Sequence, residues 1–445
     1  MLEFPDGFLW GTATAAYQIE GGHDADGRGP SIWDTFSHTP GKVFADQNGD
    51  VACDHYHRYR EDTAIMAELG LGAYRFSLSW SRVLPEGRGA TNAKGLDFYS
   101  RLVDALLEKK IRPFITLYHW DLPQALEDRG GWGERATADA FGEYAALMGR
   151  TLGDRVKDWI TLNEPLASTT AGYVFGVHAP GKTDPRLAFQ VSHHLNLAHG
   201  RAVLALRSTV PAARVGITQV SMPVYPATDS EADRMAAHRY DGFVNRWYWE
   251  PPLIGSYPAD IVERLGSLAP VIQADDLRVI RQPLDFFGHN SYSRAVVRDD
   301  PESLLLGTTQ IAQTTRPHTA MGWEVYPNHI YDALTRITRD YGAPDIYITE
   351  NGSAYEDTVE NGVVDDPQRT DYLRTHLIAA HRAIRDGVKL KGYFCWSLLD
   401  NFEWAYGYSK RFGIVYVNYD DQKRVIKKSG RFFAEVARRN GLEPI

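Results

Sequence analysis

At 445 residues the chain could hold several small domains or one elaborated α/β barrel. A net charge of −9 with no run of Lys or Arg argues against nucleic acid or an anionic membrane as partner, and against a strongly anionic substrate. Two cysteines, Cys53 and Cys395, exclude a disulfide framework and lack any zinc-ligand spacing, so neither metal nor cofactor is expected.

The amino terminus, MLEFPDGFLWGTATAAYQIEGG, has no basic n-region and carries Asp and Glu early, so it does not read as a secretory signal. No apolar stretch approaches the roughly 20 residues of a membrane helix, and a cytoplasmic protein is expected. No low-complexity linker divides the chain. Short β-rich runs come at 8–20, 73–80, 112–120, 158–165, 214–220, 285–293, 345–352 and 390–401. Most are near-continuous apolar sequence, as in strands buried on both faces. Amphipathic helical patterns lie between them, among them 54–70, 94–110 and 371–387, the last stopped by Gly387. Eight strands with intervening helices predict one (β/α)8 barrel over residues 1–445, with elaborated loops after the strands. A doubly wound open sheet is the alternative, weakened because no G-x-G-x-x-G turn follows an early strand.

The runs start apolar and finish polar or aromatic: Gln18, Arg75, His119, Asn163–Glu164, Asn290–Tyr292, Glu350–Asn351 and Trp396. In a barrel these carboxyl-terminal strand ends form the active-site face. The chain also holds 11 Trp, 24 Tyr and 18 Phe, a surplus that suits an enzyme gripping the apolar faces of sugar rings. Glu164 in TLNEP and Glu350 in ITENG are the two strand-end carboxylates that glycoside hydrolysis would need, one as proton donor and one as nucleophile. Either glutamate alone would more commonly cap a helix or pair with an arginine.

The chain resembles glycoside hydrolase family 1, the β-glucosidases, essentially end to end. The resemblance rests on FLWGTATAAYQIEG at 8–21, TLNEP at 161–165, GVHAPG at 176–181, MGWEVYP at 321–327, ITENG at 348–352 and LLDNFEWAYGYSKRFGIVYV at 398–417. It implies a retaining β-glucosidase acting on terminal non-reducing β-D-glucosyl groups, with side activity on β-galactosides or β-fucosides and transglycosylation. Glu164 becomes the acid/base and Glu350 the nucleophile. Arg75, Asn290 and Tyr292 support them, and Arg75 is expected to keep the pKa of Glu350 low. Gln18, His119, Trp120, Asn163, Trp396, Glu403, Trp404 and Phe412 would form the sugar pocket, with Trp323 on the leaving-group side.

Three positions depart from the family pattern. Leu166 stands where Trp often follows the NEP proline, His289 where an aliphatic residue is common, and Ser291 where an aromatic is common. None is expected to touch either glutamate. A 6-phospho-β-glycosidase is one alternative, opposed by Glu403, which would repel a phosphate dianion. A non-catalytic sugar-binding protein is another, opposed by the presence of both glutamates. His55 and His57, and His193, His194 and His199, suggest metal only superficially. Asp365–Asp366 and the 354–366 segment read as solvated surface.

Overall fold

Each of the eight runs carries a barrel strand. The computed structural model describes residues 1–303, 305–342 and 344–444. Its strands are β1 (Leu9–Ala13), β2 (Ala73–Ser77), β3 (Arg112–Tyr118), β4 (Asp158–Asn163), β5 (Arg214–Val220), β6 (Phe286–Asn290), β7 (Asp345–Asn351) and β8 (Leu390–Trp396). All pair in parallel and in chain order, and β8 returns to β1 through the pairs Gly392–Leu9 to Trp396–Ala13, so the sheet closes into the predicted barrel. Every residue of β2, β4 and β6 is buried, because helices cover the outside while side chains fill the inside.

The three predicted helices form at His55–Glu68, Ala93–Glu108 and Pro367–Arg385. Asn92 caps the second, its side chain accepting from the Lys94 amide at 3.3 Å. The third begins four residues before the predicted start, because Pro367 at its first turn has a preset φ and no amide to leave unpaired. It stops where expected, with Gly387 at φ 98°.

The barrel interior is aromatic. Phe114 of β3 meets Phe394 of β8 at 5.0 Å and Tyr347 of β7 at 5.3 Å between ring centroids, and Phe286 of β6 meets Tyr347 at 5.4 Å. Glycine makes room for these rings: a Cβ on Gly11 would sit 2.7 Å from Phe394, and one on Gly216 2.5 Å from Phe286. At the amino-terminal strand ends Asp158 takes Arg112 at 2.6 Å and Arg214 at 3.0 Å. The interior is therefore a plugged core, and the polar strand ends gather on the opposite rim. Among the described residues no helix is long and apolar enough to cross a membrane.

The acidic segment after β7 differs from its expectation. Residues 358–363 are exposed, but Asp366 and the side chain of Asp357 are buried. Asp357 takes Arg369 at 2.8 Å and Lys427 at 2.5 Å, and Asp366 pairs with Arg369 and accepts from the Ser429 amide at 2.8 Å. Lys427, fully buried, also reaches Asp400 at 2.7 Å, whose other oxygen takes Arg411 at 2.8 Å. Three cations thus meet three carboxylates where the loops after β7 and β8 touch. Only Asp365 of the acidic pair matches its expectation, exposed beside Lys428. The partners come from distant segments, so local charge could not reveal them.

Candidate active site

Two ladder irregularities shape the rim. The β6–β7 pairing shifts between Ile348 and Glu350, and the β4–β5 pairing shifts between Ile160 and Asn163. Such shifts re-aim side chains at strand ends. Glu164 then takes a left-handed backbone conformation at φ 46° as it enters the Pro165–Thr169 helix. Trp120 (φ 79°) and Trp404 (φ 49°) do the same. Non-glycine residues of this size seldom adopt positive φ, and such strained positions cluster at active sites.

Glu350 sits in a basket of donors. Arg75 Nη1 donates to its Oε1 and Tyr292 OH to its Oε2, both at 2.6 Å. Arg75 is itself held by Thr116 Oγ1 at 3.1 Å, Thr349 O at 3.0 Å and Asn163 Oδ1 at 2.6 Å. Among the described residues Glu164 has a single side-chain donor, Asn290 Nδ2, at 2.7 Å. The Asn290 amide is oriented by Thr349, whose hydroxyl donates to Oδ1 at 2.7 Å. Asn163 Nδ2 lies 3.0 Å from His119 Nε2; with the amide donating, the imidazole carries its proton on Nδ1.

These surroundings separate the two acids. Burial pushes Glu164 up to about 8, reinforced by the negative charge of Glu350 and opposed by Asn290 and Arg75. Burial also pushes Glu350 upward, against Arg75, Tyr292 and Asn290. The expectation that Arg75 holds this group low is therefore corrected: the cation opposes desolvation without overcoming it. The pair competes for one proton, and the carboxyl with a cation and a phenol beside it gives that proton up first. Glu403, buried among the same charges, is likewise pushed up to about 8, by burial and then by Glu350 and Glu164. Burial and Arg75 drive His119 well below its usual range, so its ring is neutral.

Ten of the residues named from the sequence line one cavity of about 690 Å³: His119, Trp120, Glu164, Tyr292, Trp323, Glu350, Trp396, Glu403, Trp404 and Phe412. The other four stand behind its wall. Gln18 Nε2 is 3.4 Å from Glu403, Arg75 touches Glu350, Asn163 joins Arg75 to His119, and Asn290 touches Glu164. Among the described residues Gln18 Oε1 and His119 Nδ1 are buried without a hydrogen-bond partner, as groups awaiting sugar hydroxyls would be. Rings support the wall: Trp120 lies 4.7 Å and Trp33 4.6 Å from Trp404, and Tyr292 lies 5.2 Å from Trp323.

Sequence reasoning missed Thr349 and His178. Thr349 directly precedes Glu350 in the ITENG motif, but nothing in the sequence shows which neighbour its buried hydroxyl meets. His178 lines the cavity 5.6 Å from Trp120, with burial pushing it down to about 4; GVHAPG had marked the segment without giving the histidine a role. The set-aside histidines have protein partners. His55 meets Asp62 at 2.8 Å, His57 meets Asp54 at 2.6 Å, His193 meets Asp276 at 2.9 Å, His194 meets Trp132 O at 2.9 Å and His199 meets Thr161 at 2.7 Å. Of the three departures, Leu166 lines the cavity, while His289 and Ser291 are fully buried, the latter 2.6 Å from His329.

Paired carboxyls of unequal acidity in an aromatic-walled pocket, on the carboxyl-terminal face of a closed barrel, define a glycoside hydrolase. A family model described as Glycosyl hydrolase family 1 matches residues 1–442. Beta-glucosidase A of Thermotoga maritima is 51% identical over 443 residues, covering 99% of each chain. A bifunctional beta-D-glucosidase/beta-D-fucosidase of Bifidobacterium breve is 45% identical, covering 96% of each. The solved structure of the Thermotoga maritima beta-glucosidase in complex with deoxynojirimycin has a TM-score of 0.97 at 50% identity, covering 100% of both chains. The chain belongs to glycosyl hydrolase family 1.

Proposed function

We propose that this protein is a retaining β-glucosidase that releases terminal non-reducing β-D-glucosyl groups from small oligosaccharides and from aryl or alkyl glucosides. The observation that carries this reading is the asymmetry between two glutamates sharing one pocket. Glu350, between Arg75 and Tyr292, is the nucleophile: its carboxylate attacks the anomeric carbon and forms a glycosyl ester. Glu164 gives its proton to the departing glycosidic oxygen, so the alcohol leaves neutral. Esterification removes the negative charge beside Glu164. The ionised Glu164 then takes a proton from water, the hydroxide attacks the anomeric carbon, and Glu350 returns as carboxylate.

Gln18, His119, Asn163 and Glu403 read the hydroxyls of the glucosyl group, and Trp120, Trp396, Trp404 and Phe412 enclose its faces. Glu403, pushed up to about 8 by burial, can accept from or donate to a hydroxyl. Side activity on β-fucosides is supported by the bifunctional Bifidobacterium breve relative, and β-galactosides and transglycosylation belong to the same reading. The barrel and its loops act as one catalytic domain over 1–445. The partner is a small glycoside, with no nucleic acid, metal or cofactor. Two free, buried cysteines fit a cytoplasmic protein.

The test is NMR of the first-formed sugar from an aryl β-glucoside. The β-anomer must appear before mutarotation; first appearance of the α-anomer sinks the retaining reading, and no sugar at all sinks the enzyme.

A further inference from the structure

The strand end that carries donors to both glutamates is held from behind by two residues outside the reaction itself. Asn290 and Tyr292 reach into the cavity, to Glu164 at 2.7 Å and Glu350 at 2.6 Å. Ser291, between them, points the other way, as alternate side chains of an extended segment do. Its hydroxyl lies 2.6 Å from His329 Nδ1 and 3.3 Å from Ser221 O. Its main chain is fixed on both sides: the amide donates to Glu350 O at 3.1 Å, and the carbonyl accepts from Asn351 Nδ2 at 2.6 Å. Ser291 is one of the three departures from the family pattern, so the machinery common to the family does not account for this arrangement.

His329 stands at the start of the helix Asn328–Tyr341 and, like Ser291, is fully buried. Among the described residues the ring's only hydrogen bond is to Ser291, and its Nε2 has no partner. Burial, with the His376 and His289 rings nearby, drives the imidazole well below its usual range, so the pair is neutral. A buried hydroxyl and imidazole cost desolvation that two apolar side chains would avoid. What the pair supplies is geometry, since a hydrogen bond has a more definite length and direction than an apolar contact. Three consecutive residues share one stiff main chain, so a turn or slide of Ser291 carries both neighbours with it.

We propose that His329 is a positioning residue for the reaction: through Ser291 it anchors Asn290 and Tyr292 together, so that one buried hydrogen bond keeps both glutamates supplied with their donors. The proposal rests on the retaining β-glucosidase reading, because those donors matter to turnover only if Glu164 and Glu350 divide the chemistry.

The test compares pH profiles of kcat/KM in the unmodified enzyme, His329→Phe and Ser291→Ala, on phenyl β-D-glucoside, whose leaving group needs its proton. Asn290 and Tyr292 each favour the ionised form of the glutamate they touch, so loosening them raises both carboxyls. The acid limb, set by Glu350, and the basic limb, set by Glu164, should both move to higher pH, by about half a pH unit or more. kcat should fall roughly three- to thirtyfold with KM changed less than about twofold, because these donors act on charge that moves in the reaction. Ile337→Ala opens a cavity at a buried position about two turns further along the same helix, and should lower Tm while leaving both limbs in place. Ser291→Ala removes only the hydroxyl, so it decides the matter if His329→Phe does not fold. Limbs unmoved in folded Ser291→Ala, or moved as far by Ile337→Ala, overturn the proposal. No turnover by the unmodified enzyme, or a profile without two limbs, refutes the β-glucosidase reading itself and the proposal with it.

Discussion

The ends of β4 and β7 carry the same residue at similar depth, Glu164 at 7% and Glu350 at 3% exposure, in different company. At β7 the carboxyl meets a guanidinium and a phenol. At β4 it meets one neutral amide and the charge of its counterpart. Desolvation is common to both, so their difference comes from the partners. Chemistry by double displacement requires that difference, because two equal acids would leave the proton on the wrong group half the time.

Removing either glutamate breaks the comparison outright, and unequally. Glu350→Gly should cost roughly 10⁵-fold or more in kcat on every glucoside, the scale of losing a covalent nucleophile. Added azide should restore turnover with an inverted product, read by NMR. Glu164→Gln should cost about 10²–10⁴-fold on cellobiose. Dinitrophenyl glucoside, whose leaving group needs no proton, should still show a burst of phenol. A burst from the Glu350 variant instead would reverse the two roles.

Finer changes sharpen the comparison. Tyr292→Phe removes one hydrogen bond to a charged group, worth about 1.5–3 kcal/mol, so kcat/KM should fall roughly 10- to 100-fold. The pH dependence follows from the same asymmetry. Activity of the free enzyme needs Glu164 protonated and should fall as pH rises through about 8. Trapping Glu350 as a 2-fluoroglucosyl ester removes a negative neighbour and should lower the Glu164 pKa, as carbon-13 NMR of the labelled carboxyl would report. An unchanged titration would mean that burial alone sets it. Thr349→Val should have the smallest effect, a few-fold loss in kcat/KM, by freeing the Asn290 amide to turn away from Glu164.

The barrel was legible because most of its strands are near-continuously apolar and their polar ends recur at the same place in each unit. The named residues were legible by type and position: a glutamate beside an asparagine at a strand end has few structural reasons to lie among aromatics. The balance of fields at Glu350 was not legible. A cation is visible in a sequence, but the depth at which it must work depends on the closed rim. Thr349 was invisible for a related reason, since a threonine within a strand acquires a function only when its neighbour's amide turns toward it. Asp366 was misread because local charge density says nothing of a partner 63 residues further along, at Ser429.

The six-charge knot beneath the last two loops bears on how variants of this barrel can be recombined. The loop after β7 supplies Asp357 and Asp366, and the helix behind it Arg369; the segment after β8 supplies Asp400, Arg411 and Lys427. A chimera that grafts one segment from a relative with different charges would strand an ion away from water, a fault costing several kcal/mol. The two must therefore travel as a cassette, and Glu403, Trp404 and Phe412 travel with them. Shuffling at this corner exchanges sugar-pocket residues in a block, and crossovers placed between residues 370 and 397 should yield the fewest folded products.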